Sequence, residues 1–446
     1  MGPEISIKFI EPNIPSKRKG VAYKRLGKED ITAEEIQEHL IELRKNAVKN
    51  TKKNLNAFKK NINQNKNLTL FTAKTPKEVV KYIKDQTTGL GITRVDMNRS
   101  NTLRAIKPEL INQGFKVVHT YNHALKSGSL GEFGYSEPGQ YWTLGQLELE
   151  NKFLSFNENK RPKAYTRELI DRATGKGEFI GLVGANVIAA TGELLAVQHL
   201  RNITSIFTHA KKAFIVITLD KLVNDYEQAL FQARCAAMYG LEQIILDSFD
   251  VERLRGELET RTGAQKTREK AEKKQNKSKS TQWKSLKDTY YELFKPPENL
   301  QIIVLDDGRD KLIGSENEDL LYCMVCRKCG LLCPRVRIGK QKPNTVDDLA
   351  EITFTLTARE LLMDGLLYGP EVAIEEGLFD CSLCRSCSNI CPVGIDLTEH
   401  LQVLRQECQK KDLFSKPHKR IRKNILQVGN AYGTEYTIKS LAGGRR

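Results

Sequence analysis

LTLFTAKTPKEVVKYIKDQ, Leu68 to Gln86, passes from an apolar strand into a helix within two residues. Thr75 is an N-cap type and Pro76 suits the first helical turn, where its missing N–H is not needed. The pattern then recurs. ITRVDM (92–97) is strand-like, NTLRAIKPELINQG (101–114) is a helix stopped at glycine, and FKVVHTY (115–121) is a third strand. Strands alternating with helices of this length predict βαβ units and a mostly parallel sheet.

Upstream, residues 33–62 read as one amphipathic helix, with Ile36, Leu40, Leu43, Ala47, Leu55, Phe58 and Ile62 at three- and four-residue spacing. Downstream, residues 123–178 are rich in Gly, Tyr and charge and read as loops and short helices. EFIGLVGANVIAATGELLAVQ (178–198) predicts two apolar strands around Ala190-Thr-Gly. AFIVITLDKLV (213–223) is one more strand, NDYEQALFQARCAAMYG (224–240) a helix, and QIIVLDDGR (301–309) another strand. Between them, 256–298 reads as a charged insert, too polar to bury much.

The chain has 446 residues, 39% of them apolar, which suits two or three domains with real cores. No apolar run approaches the roughly 18 residues of a membrane span, and the first twenty residues lack the apolar core of a secretory signal. A cytoplasmic, reducing location follows, where clustered cysteines are metal ligands or redox centres rather than structural disulfides. The net charge of +16 is concentrated: residues 1–66, 266–287 and 410–446 together carry 34 Lys/Arg against 12 Asp/Glu. These read as solvated stretches or as docking surfaces for an acidic partner. No finger, RNP-type or helix-turn-helix signature supports nucleic acid.

Eight of the ten cysteines fall in CMVCRKCGLLCP (323–334) and CSLCRSCSNICP (381–392). Both read C-x2-C-x2-C-x3-C-P, the spacing that wraps a 4Fe–4S cubane. Three thiolates come from one tight loop. In two-cluster proteins the fourth comes from the other motif. Carried over, this predicts two 4Fe–4S clusters, one on Cys323, Cys326, Cys329 and Cys391 and the other on Cys381, Cys384, Cys387 and Cys333. Zinc also takes four thiolates, but it uses separated CxxC pairs and has no need of the third cysteine of each motif. The sequence between the motifs, TVDDLAEITFTLTARELLMDGLLYG and EVAIEEGLF, is helical in pattern, so this domain should be mostly α-helical. Cys235 reads as a core residue and Cys408 as a free thiol. No nucleophile motif or P-loop is present, and GLVGAN lacks the third glycine of a dinucleotide fingerprint.

An α/β domain containing VGANVIAATGELLAV (183–197), then LQIIVLDDGRDKL (300–312), then two ferredoxin motifs resembles the LUD-domain iron–sulfur proteins of the lactate utilisation protein B family. The most specific pieces are Gly184-Ala-Asn186, Thr191-Gly192, Asp307-Gly308-Arg309 and the cysteines. The resemblance covers roughly residues 35–410. It implies an α/β domain similar to the sugar-phosphate isomerase and CoA-transferase-like fold. It further implies an electron-transfer subunit of a multi-subunit, NAD-independent lactate (2-hydroxy acid) oxidising system, with a partner subunit carrying cysteine-rich CCG domains.

HKRIRKNILQVGNAYG (418–433) is similar instead to the stretch after the ferredoxin part of heterodisulfide-reductase-like subunits. The sequence ends soon after, so the CCG partner is expected on a separate chain. An electron carrier of that kind of complex, and a redox-sensing binding protein with no oxidoreductase role, are the alternatives. Gly184, Asn186, Thr191 and Gly192 are candidates for a small-molecule site, or else a tight turn between core strands. The expected organisation is a basic extension (1–32), a LUD-like domain (33–312) with the insert at 256–298, a helical ferredoxin domain (313–412) and a basic tail (413–446).

Overall fold

The computed structural model describes residues 7–10, 33–64, 68–98, 100–119, 178–197, 203–237, 239, 293–294, 300–331, 333–335 and 357–433. The expectations for 123–177 and for most of the charged insert lie outside them.

In chain order the elements are β1 (Ile7–Ile10), α1 (Ala33–Lys49), α2 (Thr51–Ile62), β2 (Leu68–Ala73), α3 (Pro76–Thr87), β3 (Arg94–Met97), α4 (Asn101–Asn112) and β4 (Lys116–His119). There follow β5 (Ile180–Gly184), β6 (Val187–Ala189), β7 (Leu194–Val197), α5 (Thr204–His209), β8 (Lys212–Thr218), β9 (Leu222–Val223), α6 (Tyr226–Ala237), β10 (Leu293–Phe294) and β11 (Leu300–Leu305). The described elements after β11 are helical: α7 (Lys328–Leu331), α8 (Ala358–Tyr368), α9 (Pro370–Glu375), α10 (Ser386–Asn389), α11 (Leu397–Lys410) and α12 (Lys416–Val428).

The βαβ alternation builds a six-stranded sheet, β2-β11-β8-β5-β3-β4, parallel throughout. Such sheets are covered on both faces, which is why β8 and β11 are apolar at nearly every position. Phe214, Val216, Ile303 and Leu305 face α3 and α4; Ile215, Ile217, Ile302 and Val304 face the other way, toward α2, α5 and a second sheet. That second, mixed sheet runs β10-β1-β7-β6-β9, and α1 and α6 cover its outer side through Leu43, Ala47, Ala229 and Ala233.

Three expectations need correcting. The helix over 33–62 is two helices, broken at Asn50 (φ −98°, ψ 13°). Asn50 Nδ2 donates to Asn46 O at 2.8 Å and Thr51 Oγ1 to Val48 O at 2.7 Å, side-chain competition that bends helices while leaving the apolar periodicity intact. The two strands expected around Ala190 are three. The chain leaves the parallel sheet at Gly184 and enters the mixed one at Val187, with Ala185 N donating to Val216 O and Asn186 N to Leu195 O, each at 3.1 Å. AFIVITLDKLV makes the same crossing, from β8 through a 3-10 turn at Leu219–Lys221 into β9. Finally, Ile7–Ile10 and Leu293–Phe294, in segments read as basic extension and charged insert, pair with each other as strands of the mixed sheet.

The core of the helical domain is not confined to it. Leu320, Leu321, Leu361, Leu362, Leu401 and Leu404 pack in one cluster with Ile36, Leu40 and Val48 of α1 and Cys235 of α6. The N-terminal helix, assigned from sequence to the α/β domain, thus serves both. Cys408 is buried in the same core. Among the described residues no helix is long and apolar enough to cross a membrane.

Candidate metal centre

The described residues of the two cysteine motifs fold alike. A 3-10 turn (Glu318–Tyr322; Leu378–Asp380) delivers the first cysteine of each. The residues on either side of the second cysteine take left-handed backbone: Val325 (φ 61°) and Arg327 (φ 65°) around Cys326, Leu383 (φ 54°) and Arg385 (φ 61°) around Cys384. A β-branched residue at positive φ is a genuine outlier, and such strain persists where the surroundings or a ligand require it. Its effect is to turn N–H groups toward sulfur. Val325 N lies 3.3 Å from Cys323 Sγ and Leu383 N 3.4 Å from Cys381 Sγ. The third cysteine sits in a short helix, α7 or α10, and these pack on one another. The fourth is set by the same turn in both, Cys333 N donating to Gly330 O at 3.2 Å and Cys391 N to Ser388 O at 3.1 Å.

Sulfurs of the two motifs approach one another. Cys391 lies within electrostatic reach of Cys323, Cys326 and Cys329, while Cys387 feels Cys381 and Cys333. Burial, followed by the neighbouring sulfurs, pushes the Cys326 thiol up to about 12, and burial raises Cys391 to about 11 and Cys329 well above its ordinary value. Thiolates here need a compensating cation, which iron in a cluster supplies. Cys384 is the exposed member; its Sγ lies 3.3 Å from Ser386 Oγ, whose hydroxyl donates to the thiolate form and so lowers the pKa. In the described residues no three His, Cys, Asp or Glu side chains are grouped to hold a single metal ion. A cubane instead offers four separate iron corners to its thiolates, and the N–H groups aimed at sulfur are the hydrogen bonds such clusters take. The donor set and its shell fit a cluster.

Gly330 and Thr357 join the first motif to α8. A Cβ on Gly330 would come within 2.9 Å of the Thr357 methyl, while the Thr357 hydroxyl caps α8 through Glu360 N (3.3 Å) and offsets part of the rise in the Cys329 pKa.

A set of buried charges absent from the sequence reading lies where the two domains meet. Asp220 and Lys221 occupy the crossing from β8 to β9, and both side chains are almost wholly buried. Lys221 Nζ donates to Asp220 Oδ2 and to Cys323 O, each at 2.5 Å. Arg44 of α1 donates to Leu321 O (2.9 Å), Tyr322 O (3.0 Å), Gln232 Oε1 (2.8 Å) and Asp220 O. Arg359 of α8 donates to Leu320 O (3.2 Å) and Glu360 Oε1 (2.9 Å) and reaches Asp220 Oδ2 at 3.5 Å. Arg309 faces Asp220 Oδ1 at 3.3 Å, an ion pair without hydrogen-bond alignment. Burial would raise the Asp220 carboxyl, but Lys221, Arg309 and Arg359 outweigh it and hold the group well below the carboxylate range. Burial lowers Lys221 to about 8 against the pull of Asp220. The sequence signals were a charged pair inside an apolar run and an arginine on the apolar face of α1.

Helix α8 lies against residues at the carboxyl ends of the parallel strands, the edge where open α/β sheets ordinarily bind ligands. Asn101 Nδ2 donates to Glu360 Oε1 (2.9 Å), Tyr368 Oη to Asp307 Oδ2 (2.5 Å), and Arg104 pairs with Asp364 and with Glu376 (2.8 Å). Of the four small-molecule candidates, Gly184 ends β5 with both backbone groups held by Asn98, its N at 2.8 Å from Oδ1 and its O at 3.3 Å from Nδ2. A Cβ there would collide with the Ser100 side chain. Asn186 stands at the crossing between sheets. Thr191 and Gly192 (φ 120°) turn the β6–β7 hairpin, where Thr191 Oγ1 donates to Glu193 at 2.5 Å.

Two family descriptions match the chain: "LUD domain" over residues 55–245 and "4Fe-4S dicluster domain" over 319–395. Lactate utilization protein B of Macrococcus caseolyticus is 22% identical over 403 residues, covering 84% of this chain and 72% of that protein. An uncharacterized electron transport protein of Escherichia coli, YkgF, is 26% identical over 148 residues, 33% of this chain, so that the match spans only 29% of that relative. A subunit of the ferredoxin:CoB-CoM heterodisulfide reductase of Methanosarcina mazei is 26% identical over 121 residues, 27% of this chain and 66% of that relative. No solved structure matches. The chain thus joins a LUD domain to a 4Fe-4S dicluster domain, the arrangement in which it is similar to lactate utilization protein B.

Proposed function

We propose that the chain holds two 4Fe–4S clusters with exchanged ligands, Cys391 completing the set of Cys323, Cys326 and Cys329, and Cys333 completing that of Cys381, Cys384 and Cys387. It would work as the electron-transfer subunit of a multi-subunit oxidoreductase in the cytoplasm. The observation that supports this reading is that Cys391 lies within electrostatic reach of the three sulfurs of the first motif, and Cys333 within reach of Cys387 in the second.

Such clusters, when bound, accept and release electrons singly. The residues of this chain supply the rest. Desolvation raises the half-buried Cys326 and Cys329 thiols of the first site, N–H donors from Val325 and Leu383 stabilise sulfur, and exposed Cys384 brings the second site to the surface. Helix α12 is basic, buries none of its residues and exposes Ile421, Ile425 and Leu426. Phe379, two residues before Cys381, packs against Phe414 and His418 at ring separations of 5.7 and 5.1 Å. A partner seated on α12 would therefore sit next to the exposed site.

For the wider system, the likeness to lactate utilization protein B supports NAD-independent oxidation of lactate with a CCG-domain partner. The likeness to the heterodisulfide reductase subunit favours a second reading, an electron carrier of that kind of complex. Anaerobic purification should yield about eight iron and eight labile sulfides per chain, and stoichiometric zinc without sulfide would sink the cluster reading. Cys333→Ser should disturb the signal of the second motif, not of its own. Identification of co-purified chains separates the two systems, and lactate-dependent dye reduction by the single pure chain would overturn the carrier role.

A further inference from the structure

We propose that Lys221, a residue of the LUD domain, sets the reduction potential of the cluster on the first motif, raising it, with Asp220 as its counterweight. The inference rests on the two-cluster reading. It follows from where three cations converge. Lys221, Arg44 and Arg359 come from a strand crossing, the N-terminal helix and α8, and they bond the consecutive carbonyls of Leu320, Leu321, Tyr322 and Cys323, which lead into the first ligand. Each of the three interacts with the charge on Cys323. Lys221 is the nearest to that ligand's own backbone, its ammonium standing between the Asp220 carboxylate and the Cys323 carbonyl.

Reduction of a cluster adds one electron and hence one negative charge. A buried cation beside it favours the reduced form, and burial keeps that effect from being screened. Where the first motif has three buried cations on these carbonyls, the second motif has one among the described residues, and it is half-buried: Arg405 of α11 donates to the carbonyls of Leu378 (2.7 Å) and Cys381 (2.5 Å). The second motif's neighbouring ion pair, Arg385–Asp396, is solvated, with side chains 57% and 33% exposed. The LUD domain thereby biases the two clusters apart, and its contribution to electron transfer is electrostatic, through the crossing from β8 to β9.

The test is an anaerobic potentiometric titration of the full chain with dithionite, followed by electron paramagnetic resonance, with Cys384→Ser used to identify the signal of the second motif. Lys221→Met should lower the first-motif midpoint by at least the 59 mV of a tenfold change in a one-electron equilibrium and leave the other in place. Lys221→Arg should restore it. Asp220→Asn should move the same midpoint upward, an opposite sign that a merely structural role does not produce. Unchanged midpoints in loaded Lys221→Met, equal shifts in both clusters, or shifts of one sign in Lys221→Met and Asp220→Asn would each overturn the proposal. So would loss of the first cluster in both variants, which would make these charges a scaffold only. A parent protein without labile sulfide or reducible signals would instead fail the two-cluster reading itself.

Discussion

Arg44→Met removes a fully buried guanidinium that ties three elements together while keeping most of its aliphatic stem. Four acceptors lose a donor: the carbonyls of Asp220, Leu321 and Tyr322 and the side chain of Gln232. At about 1 kcal/mol net for each hydrogen bond the loss is about 4 kcal/mol. That agrees with the roughly 3–5 kcal/mol seen when one member of a buried charged network is removed. Urea unfolding followed by circular dichroism should show it as a midpoint lowered by more than about 1 M, for an m-value of about 2–3 kcal/mol/M. Two of the four acceptors lie directly before Cys323, so the first motif should also lose iron more readily than the second. Arg44→Lys should fall between, since an ammonium keeps the charge but does not span adjacent carbonyls as the planar fork does. A destabilisation below about 0.5 kcal/mol, with iron content as in the parent, would refute the reasoning, because it would mean that the carbonyls find other donors.

Gly184→Ala should destabilise by about 1–3 kcal/mol, the range for overpacking, because the new methyl meets Ser100; adding Ser100→Gly should recover most of that loss in thermal unfolding. His400 Nε2 pairs with Asp319 at 2.8 Å, and that hydrogen bond raises its pKa against the effect of burial. Its contribution is therefore complete below the ordinary histidine value of about 6.5 and fades as pH rises through the raised value; His400→Gln should lose that pH dependence of stability. Truncation after Leu413 should leave both clusters in place, since no residue of α12 is itself buried, and abolish association with the partner chain; retained pull-down of the partner would argue against α12 as the dock.

The two parts of the site differed in how far they could be read from the chain. Ligand spacing is local: three cysteines within seven residues define a loop whatever surrounds it, and the parallel sheet announces itself through uninterrupted apolar strands. Arg44 and Lys221 acquire meaning only when distant segments meet. Arg44 occupies the apolar face of α1, four residues after Leu40, and Asp220-Lys221 interrupts AFIVITLDKLV. Each is a charge where periodicity asks for a hydrophobe, which is the signal that was available. The break at Asn50 and the sheet crossing at Ala185–Asn186 left no such trace. Side-chain competition bends the first, and tertiary hydrogen bonds decide the second. The short strand at Ile7–Ile10 was hidden by the basic residues that follow it.

Helix α1, which packs in both domains, has a consequence for biosynthesis. The chain is made from its N-terminus, so α1 and the strands that carry Lys221 leave the ribosome before either cysteine motif. The core around Leu320, Leu361 and Leu401 cannot close without Ile36 and Leu40, which are already committed to the earlier domain. Metal loading is then the last event, performed on a cradle half built by residues translated hundreds of positions earlier.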